Sequence, residues 1–130
     1  MPSYIVVTGA HDTGKTTSIK RAYLELGGKN TDDGDIVEIL TYTNKKEQKV
    51  GFASAGDIPD IIDNNLKKLK KCDIIVGACR TSGKTTEYYL SLSRKNKVYW
   101  IGKPRDKNIA RSNKATAEHI IELITYLDGC

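Results

Sequence analysis

Short β-branched apolar runs alternate along this chain with stretches whose apolar residues recur every three or four positions. Tyr4-Ile5-Val6-Val7 is the first such run, and it reads as a buried strand ending at Gly9. Ile19, Ala22, Tyr23 and Leu26 follow at helical spacing and predict a helix from Lys15 to about Leu26, stopped by Gly27-Gly28. After a polar segment over residues 30–35, residues 36–42 and 49–53 read as second and third strands around the polar turn 43–48. A parallel crossover needs about a dozen residues, so this short turn predicts an antiparallel hairpin.

Asp57 has the character of a helix N-cap, with Pro59 in the first turn and Asp60 near the positive helix end. Ile58, Ile61, Ile62, Leu66 and Leu69 would form the apolar stripe of that helix, with its lysines facing out. Residues 73–78 predict a fourth strand, residues from about 85 to 92 a short helix, and residues 97–101 a fifth strand. A long basic loop over about 102–112 leads to a last helix over about 114–127, with Ala117, Ile120, Ile121, Ile124 and Leu127 on one face. The order β-α-β-β-α-β-α-β-α predicts an α/β domain with a mainly parallel sheet covered on both faces. No linker or low-complexity segment divides it, so residues 1–130 read as a single domain.

Composition narrows the setting. The formal charge is +5, and the basic residues fall in short groups: Lys67, Lys68, Lys70 and Lys71; Arg94, Lys95 and Lys97; Lys103, Arg105 and Lys107. Such groups suit a protein that handles phosphates, or a nucleic-acid surface, or simply solvated helix faces. Cys72, Cys79 and Cys130 form no C-x-x-C pair and have no histidine cluster beside them. That argues against a disulfide framework and against zinc, and for a reducing, cytoplasmic compartment. No apolar run reaches the roughly 20 residues of a membrane span. Met1-Pro2-Ser3-Tyr4 leads straight into a strand, so no signal peptide is expected. Oligomeric state is left open.

The candidate chemistry lies after the first strand. Gly9-Ala10-His11-Asp12-Thr13-Gly14-Lys15-Thr16 fits the pattern G-x-x-x-x-G-K-[ST] without a mismatch, and Thr17 follows it. Glycines let backbone wrap closely around phosphate oxygens. Successive N–H groups then form an anion nest, and the following helix aims its positive end at the same point. Lys15 adds a full charge for the β- and γ-phosphates, and the Thr16 hydroxyl can ligate Mg²⁺. His11, Asp12 and Thr13 fill the variable positions.

Residues 4–26 thereby resemble the opening unit of the P-loop NTPase superfamily, and the chain's small size and sparse decoration resemble its phage-type or mobile-element members. The hairpin is similar to that of Ras-like GTPases. The resemblance implies a three-layer fold, a five-stranded sheet of order 2-3-1-4-5 with strand 2 antiparallel, and the ends of strands 3 and 4 flanking the loop. It implies ATP or GTP as ligand, with Mg²⁺.

The sequence departs from that pattern in two places. Most members close a strand near the loop with an acid that holds Mg²⁺ through water, but here Ser54 stands at about that place. Asp57, just past the strand, could hold Mg²⁺, orient water or merely cap a helix. Asp32, Asp33 and Asp35 lie where GTPases keep a mobile switch, and read more simply as a solvated turn; Asp73 is at the wrong end of its strand. The guanine motif N-K-x-D is missing. Asn44-Lys45-Lys46-Glu47 approximates it on the wrong segment, and Lys103-Pro104-Arg105-Asp106 follows the fifth strand, where a base-reading loop belongs. Tyr99 and Trp100 read as core, with base stacking as the alternative.

Gly-Lys-Thr-Thr also occurs a second time, at residues 83–86, after Gly77-Ala78-Cys79-Arg80-Thr81-Ser82 and with spacing one residue too long. It could be a companion loop bringing Arg80 and Lys84 toward the same phosphates, an ordinary turn, or a decayed second site. Cys79 has no evident base partner. The leading expectation is Mg²⁺-dependent nucleoside triphosphate binding and hydrolysis, with Lys15, Asp57, Arg80 and Lys84 in the chemistry and Thr16 and Asp57 at the metal. The alternatives are a small kinase with a second small-molecule phosphate acceptor, and a non-catalytic regulatory module.

Overall fold

The computed structural model describes residues 2–11, 13–29 and 33–128. In chain order the elements are β1 (Ser3–Thr8), α1 (Lys15–Glu25), β2 (Val37–Thr43), β3 (Glu47–Ala53), α2 (Pro59–Lys68), β4 (Ile74–Cys79), α3 (Lys84–Ser93), β5 (Val98–Gly102) and α4 (Ile109–Asp128). α4 is 20 residues long, so it begins within the stretch expected to be a basic loop. Asp106 accepts a hydrogen bond from the Asn108 backbone N–H, and the Asn108 side chain accepts one from Arg111 N–H. These short polar side chains start the helix early by satisfying amides that a helix end leaves free.

The sheet runs β2-β3-β4-β1-β5, with β2 antiparallel to β3 and the remaining pairs parallel. The expected order 2-3-1-4-5 is therefore wrong. β4 lies beside β1, β5 takes the other side of β1, and β3 is one strand removed. Burial explains the placement. All six residues of β4 are buried, whereas β5 has only Ile101 buried. Each Ile or Val fully removed from water is worth about 1.5–3 kcal/mol. The run Ile74, Ile75 and Val76 therefore gains most at the centre, and β5 tolerates the edge. Trp100, read as core, is 39% exposed there.

Alternation along the central strands divides the core. Ile5, Val7, Ile74 and Val76 face α1 and α4, packing with Ile19, Ala22, Ile120 and Ile124. Tyr4, Val6 and Ile75 face α2 and α3, packing with Ile62, Leu66, Leu69 and Tyr89. The result is three layers, as expected for a chain with this element order. Ile58 and Ile61, assigned above to the buried stripe of α2, are exposed; Ile62, Asn65 and Leu66 are the buried positions of that helix. Among the described residues no helix is long and apolar enough to cross a membrane.

Because β1, β3 and β4 are parallel, their carboxyl ends share one edge of the sheet. β2 is antiparallel, so its amino end reaches that same edge. With the exit of β5, which is also parallel to β1, five chain segments converge there: the β1–α1 loop, the approach to β2, and the exits of β3, β4 and β5.

Candidate functional site

The β1–α1 loop is built around two glycines that no other residue could replace without rearrangement. Gly14 precedes α1 in the left-handed region, at φ 89° and ψ 22°, where a Cβ is strained. A Cβ there would also strike the Asn113 side chain of α4. At Gly9 a Cβ would lie 2.7 Å from Thr13 Oγ1 and 2.8 Å from the Lys103 carbonyl oxygen. Thr13 Oγ1 donates to the Ala10 carbonyl at 2.9 Å, and Ser18 Oγ donates to the Gly14 carbonyl at 2.8 Å, with Asn113 Oδ1 at 3.3 Å. Asn113 is buried and braces the loop from behind. It was not singled out in the sequence, because nothing local links residue 113 to residue 14.

The loop and the start of α1 enclose a cradle of about 230 Å³ lined by His11, Thr13, Gly14, Lys15, Thr16, Thr17 and Asp57. Among the described residues no side chain caps the N-terminus of α1, whose amides and positive end favour an anion. Lys15 is only 7% exposed. Its ammonium donates to the Gly9 carbonyl at 2.7 Å and to the Cys79 carbonyl at 3.4 Å.

Asp57 enters from the exit of β3. It was a candidate N-cap, but α2 starts at Pro59, with Ile58 in the cap position and no side-chain cap. The carboxylate instead faces cations. Oδ1 lies 3.6 Å from Lys15 Nζ and 3.3 Å from Arg80 Nε, and Oδ2 lies 3.4 Å from His11 Nδ1. Burial alone would raise its pKa. The Lys15 charge, the His11 hydrogen bond and the Arg80 charge outweigh burial and hold the carboxyl below its ordinary value.

A second acid reaches the loop from the other side. Thr16 Oγ1 donates to Asp35 Oδ1 at 2.8 Å, and the buried Ser54 Oγ donates to the same oxygen at 3.0 Å. Asp35, read in the sequence as part of a solvated turn, is exposed but engaged with the loop. Asp12 and Asp32 lie outside the described residues. Asp73, at the opposite end of the sheet, accepts the Lys49 backbone N–H at 2.9 Å.

The second Gly-Lys-Thr-Thr folds differently from the first. Thr85 Oγ1 accepts the Arg80 backbone N–H at 3.0 Å, and Thr86 Oγ1 donates to the Arg80 carbonyl at 2.6 Å. Its threonines thus close their own turn at the start of α3. Lys84 is exposed and makes no hydrogen bond or ion pair among the described residues. The structure brings Arg80 to Asp57 and leaves Lys84 outside. Lys103 and Asp106 line a different cleft of about 280 Å³, with Ser112, Thr116 and His119. Lys103 Nζ donates to Ser112 Oγ at 2.7 Å, and burial pushes its pKa down.

The donor set suits a cation that arrives with phosphates better than a resident metal. Among the described residues no group of three His, Cys, Asp and Glu side chains is placed to hold an ion. One hydroxyl and two carboxylates at the loop are hard oxygen donors, and Mg²⁺ typically takes one or two such ligands plus waters and substrate phosphates. Comparisons with family models, curated proteins and solved structures gave no match.

Proposed function

We propose that this chain binds a nucleoside triphosphate, ATP or GTP, together with Mg²⁺ through the β1–α1 loop, in the manner of a P-loop NTPase, and hydrolyses it. One observation carries this reading. A helix N-terminus that no described side chain caps and a nearly buried lysine open into the same cradle. Both features favour an anion, and together they suit a polyphosphate.

In this reading the amides of residues 13–16 receive phosphate oxygens, and Lys15 turns from the Gly9 carbonyl toward the β- and γ-phosphates. Thr16 Oγ1 offers a lone pair to Mg²⁺, which when bound neutralises charge between those phosphates. Asp57 orients water or the metal's water shell, and Arg80, released from Asp57, meets charge developing on the transferred group. Catalysis of this kind is mostly positioning and electrostatics. The buried thiols Cys72 and Cys79 suit a reducing, cytoplasmic setting.

Calorimetry with ATP and GTP, with and without Mg²⁺, tests the reading on wild-type protein and Lys15→Ala. Binding by the wild type that the variant loses supports it; equal binding by both, or none by the wild type, overturns it. Nucleoside diphosphate release that requires an added acceptor, with the phosphoryl group found on that acceptor, would instead make the chain a kinase, and binding without turnover would make it a regulatory module.

A further inference from the structure

Among the described residues, the acid hydrogen-bonded to the loop threonine comes from neither β3 nor β4. Thr16 has one hydroxyl proton, and it is directed to Asp35 Oδ1 at 2.8 Å; the competing Ser54 carbonyl is at 3.5 Å. With its proton committed to a carboxylate, the Thr16 oxygen keeps its lone pairs for the cradle that Thr16 lines.

Asp35 is itself held in place. Ser54 Oγ donates to it at 3.0 Å and accepts the Ile36 backbone N–H at 2.8 Å, while Ser54 N–H donates to the Ile36 carbonyl at 3.1 Å. These bonds continue the β2–β3 ladder one residue past the Val37–Ala53 pair. Lys20 of α1 fastens the same segment by donating to the Gly34 carbonyl at 3.0 Å. Ser54 is 1% exposed, so its hydroxyl finds partners within the protein.

Resting on the nucleotide reading above, we infer that Asp35 is the positioning acid of the metal site: it acts through Thr16, and Ser54 at the exit of β3 serves as its anchor. The carboxylate that a strand end does not supply is delivered by the antiparallel strand, whose amino end meets the loop. The hydroxyl of Thr16 is oriented and made a better donor to Mg²⁺, as outer carboxylates do for metal ligands generally. Asp35 does not line the cradle, so its influence is exerted through the Thr16 oxygen and not on the phosphates.

The test compares the affinity of non-hydrolysable ATP and GTP analogues with and without Mg²⁺ for wild type, Asp35→Asn, Asp35→Glu and Ser54→Ala. Mn²⁺ paramagnetic resonance titrations in the presence of the analogue read the metal directly, and thermal unfolding verifies that each variant is folded. Loss of an outer-sphere partner typically costs 10–100-fold in metal affinity. The ratio of the two affinities should therefore fall by about 10–100-fold in Asp35→Asn, with a smaller fall in Ser54→Ala and partial recovery in Asp35→Glu. A ratio and a Mn²⁺ affinity equal to wild type in folded Asp35→Asn would overturn the inference while leaving the nucleotide reading intact. So would an equal loss with and without metal, which marks a merely structural role. If the wild type binds neither analogue, both ideas fall together.

Discussion

The Asp57 carboxylate stands 3.6 Å from the Lys15 ammonium, so an acid from the exit of β3 holds the cation that incoming phosphates would need. The same oxygen lies 3.3 Å from Arg80 Nε. Asp57 and a polyphosphate therefore compete for the same positive charges. Asp57 is partly exposed, and such pairs contribute about 0.2–1 kcal/mol. Asp57→Asn should accordingly tighten metal-free nucleotide binding by about 1.5–5-fold, while phosphate release slows. Calorimetry and single-turnover assays separate the two effects. Weaker metal-free binding in Asp57→Asn would show that no competition exists.

The two copies of Gly-Lys-Thr-Thr should differ sharply under mutation. Lys15 is nearly buried at the cradle, whereas Lys84 is exposed and makes no hydrogen bond or ion pair among the described residues. A charge-assisted bond contributes about 1.5–3 kcal/mol, so Lys15→Ala should weaken nucleotide binding by about 10–100-fold. Lys84→Ala should change it by less than about twofold, as is usual for a surface site away from special features. Comparable losses in both variants would restore the second copy as part of the site.

Gly14 couples the loop to α4. Replacing it with Ala forces a side chain into the left-handed region, at a cost of about 1–3 kcal/mol, and drives a methyl group into Asn113. Urea unfolding of Gly14→Ala, Asn113→Ala and the double variant should show coupling: the second change relieves the collision but not the backbone strain. Strict additivity would remove Asn113 as the brace of the loop.

Alkaline stability should depend on Tyr88. Burial raises its pKa, and the hydrogen bond it donates to Asp63 at 2.8 Å raises it further. A raised pKa means that near and above the ordinary value of 10.0 the folded chain holds a proton that the unfolded chain releases. Stability from this group is thus complete below pH about 10 and declines as pH rises beyond it. Urea unfolding between pH 8 and pH about 11 should show a shallower decline in Tyr88→Phe than in wild type. Parallel curves would place the loss elsewhere, with the still more deeply buried Tyr89 next to examine.

Much of the architecture was legible from local pattern. The β-branched run at residues 4–7 and the helical spacing of Ile19, Ala22 and Tyr23 identify β1 and α1, because burial on one or both faces imposes its period on the chain. The short polar turn read at residues 43–48, which the strands narrow to 44–46, identifies the antiparallel hairpin. The glycine-lysine loop between β1 and α1 was equally visible, since Gly14 and Gly9 are demanded by backbone angles and close approach within the loop and against Lys103 and Asn113.

What remained hidden depends on contacts distant in sequence. Periodicity says which face of a strand is buried but not which strand lies beside it, so the place of β4 between β3 and β1 was decided by competition for the centre of the sheet. The roles of the acids followed from that arrangement. Asp57 reads in sequence either as a helix cap or as an acid for Mg²⁺ or water, and only the tertiary fold decides between them by setting it against Lys15 and Arg80. Asp35 looks like a solvated turn residue until antiparallel β2 brings its amino end to the edge where β1 and β3 finish. Local sequence determined the loop and the elements around it; chain reversal and strand order determined which side chains meet there, because hydrogen bonds and ion pairs form between neighbours in space.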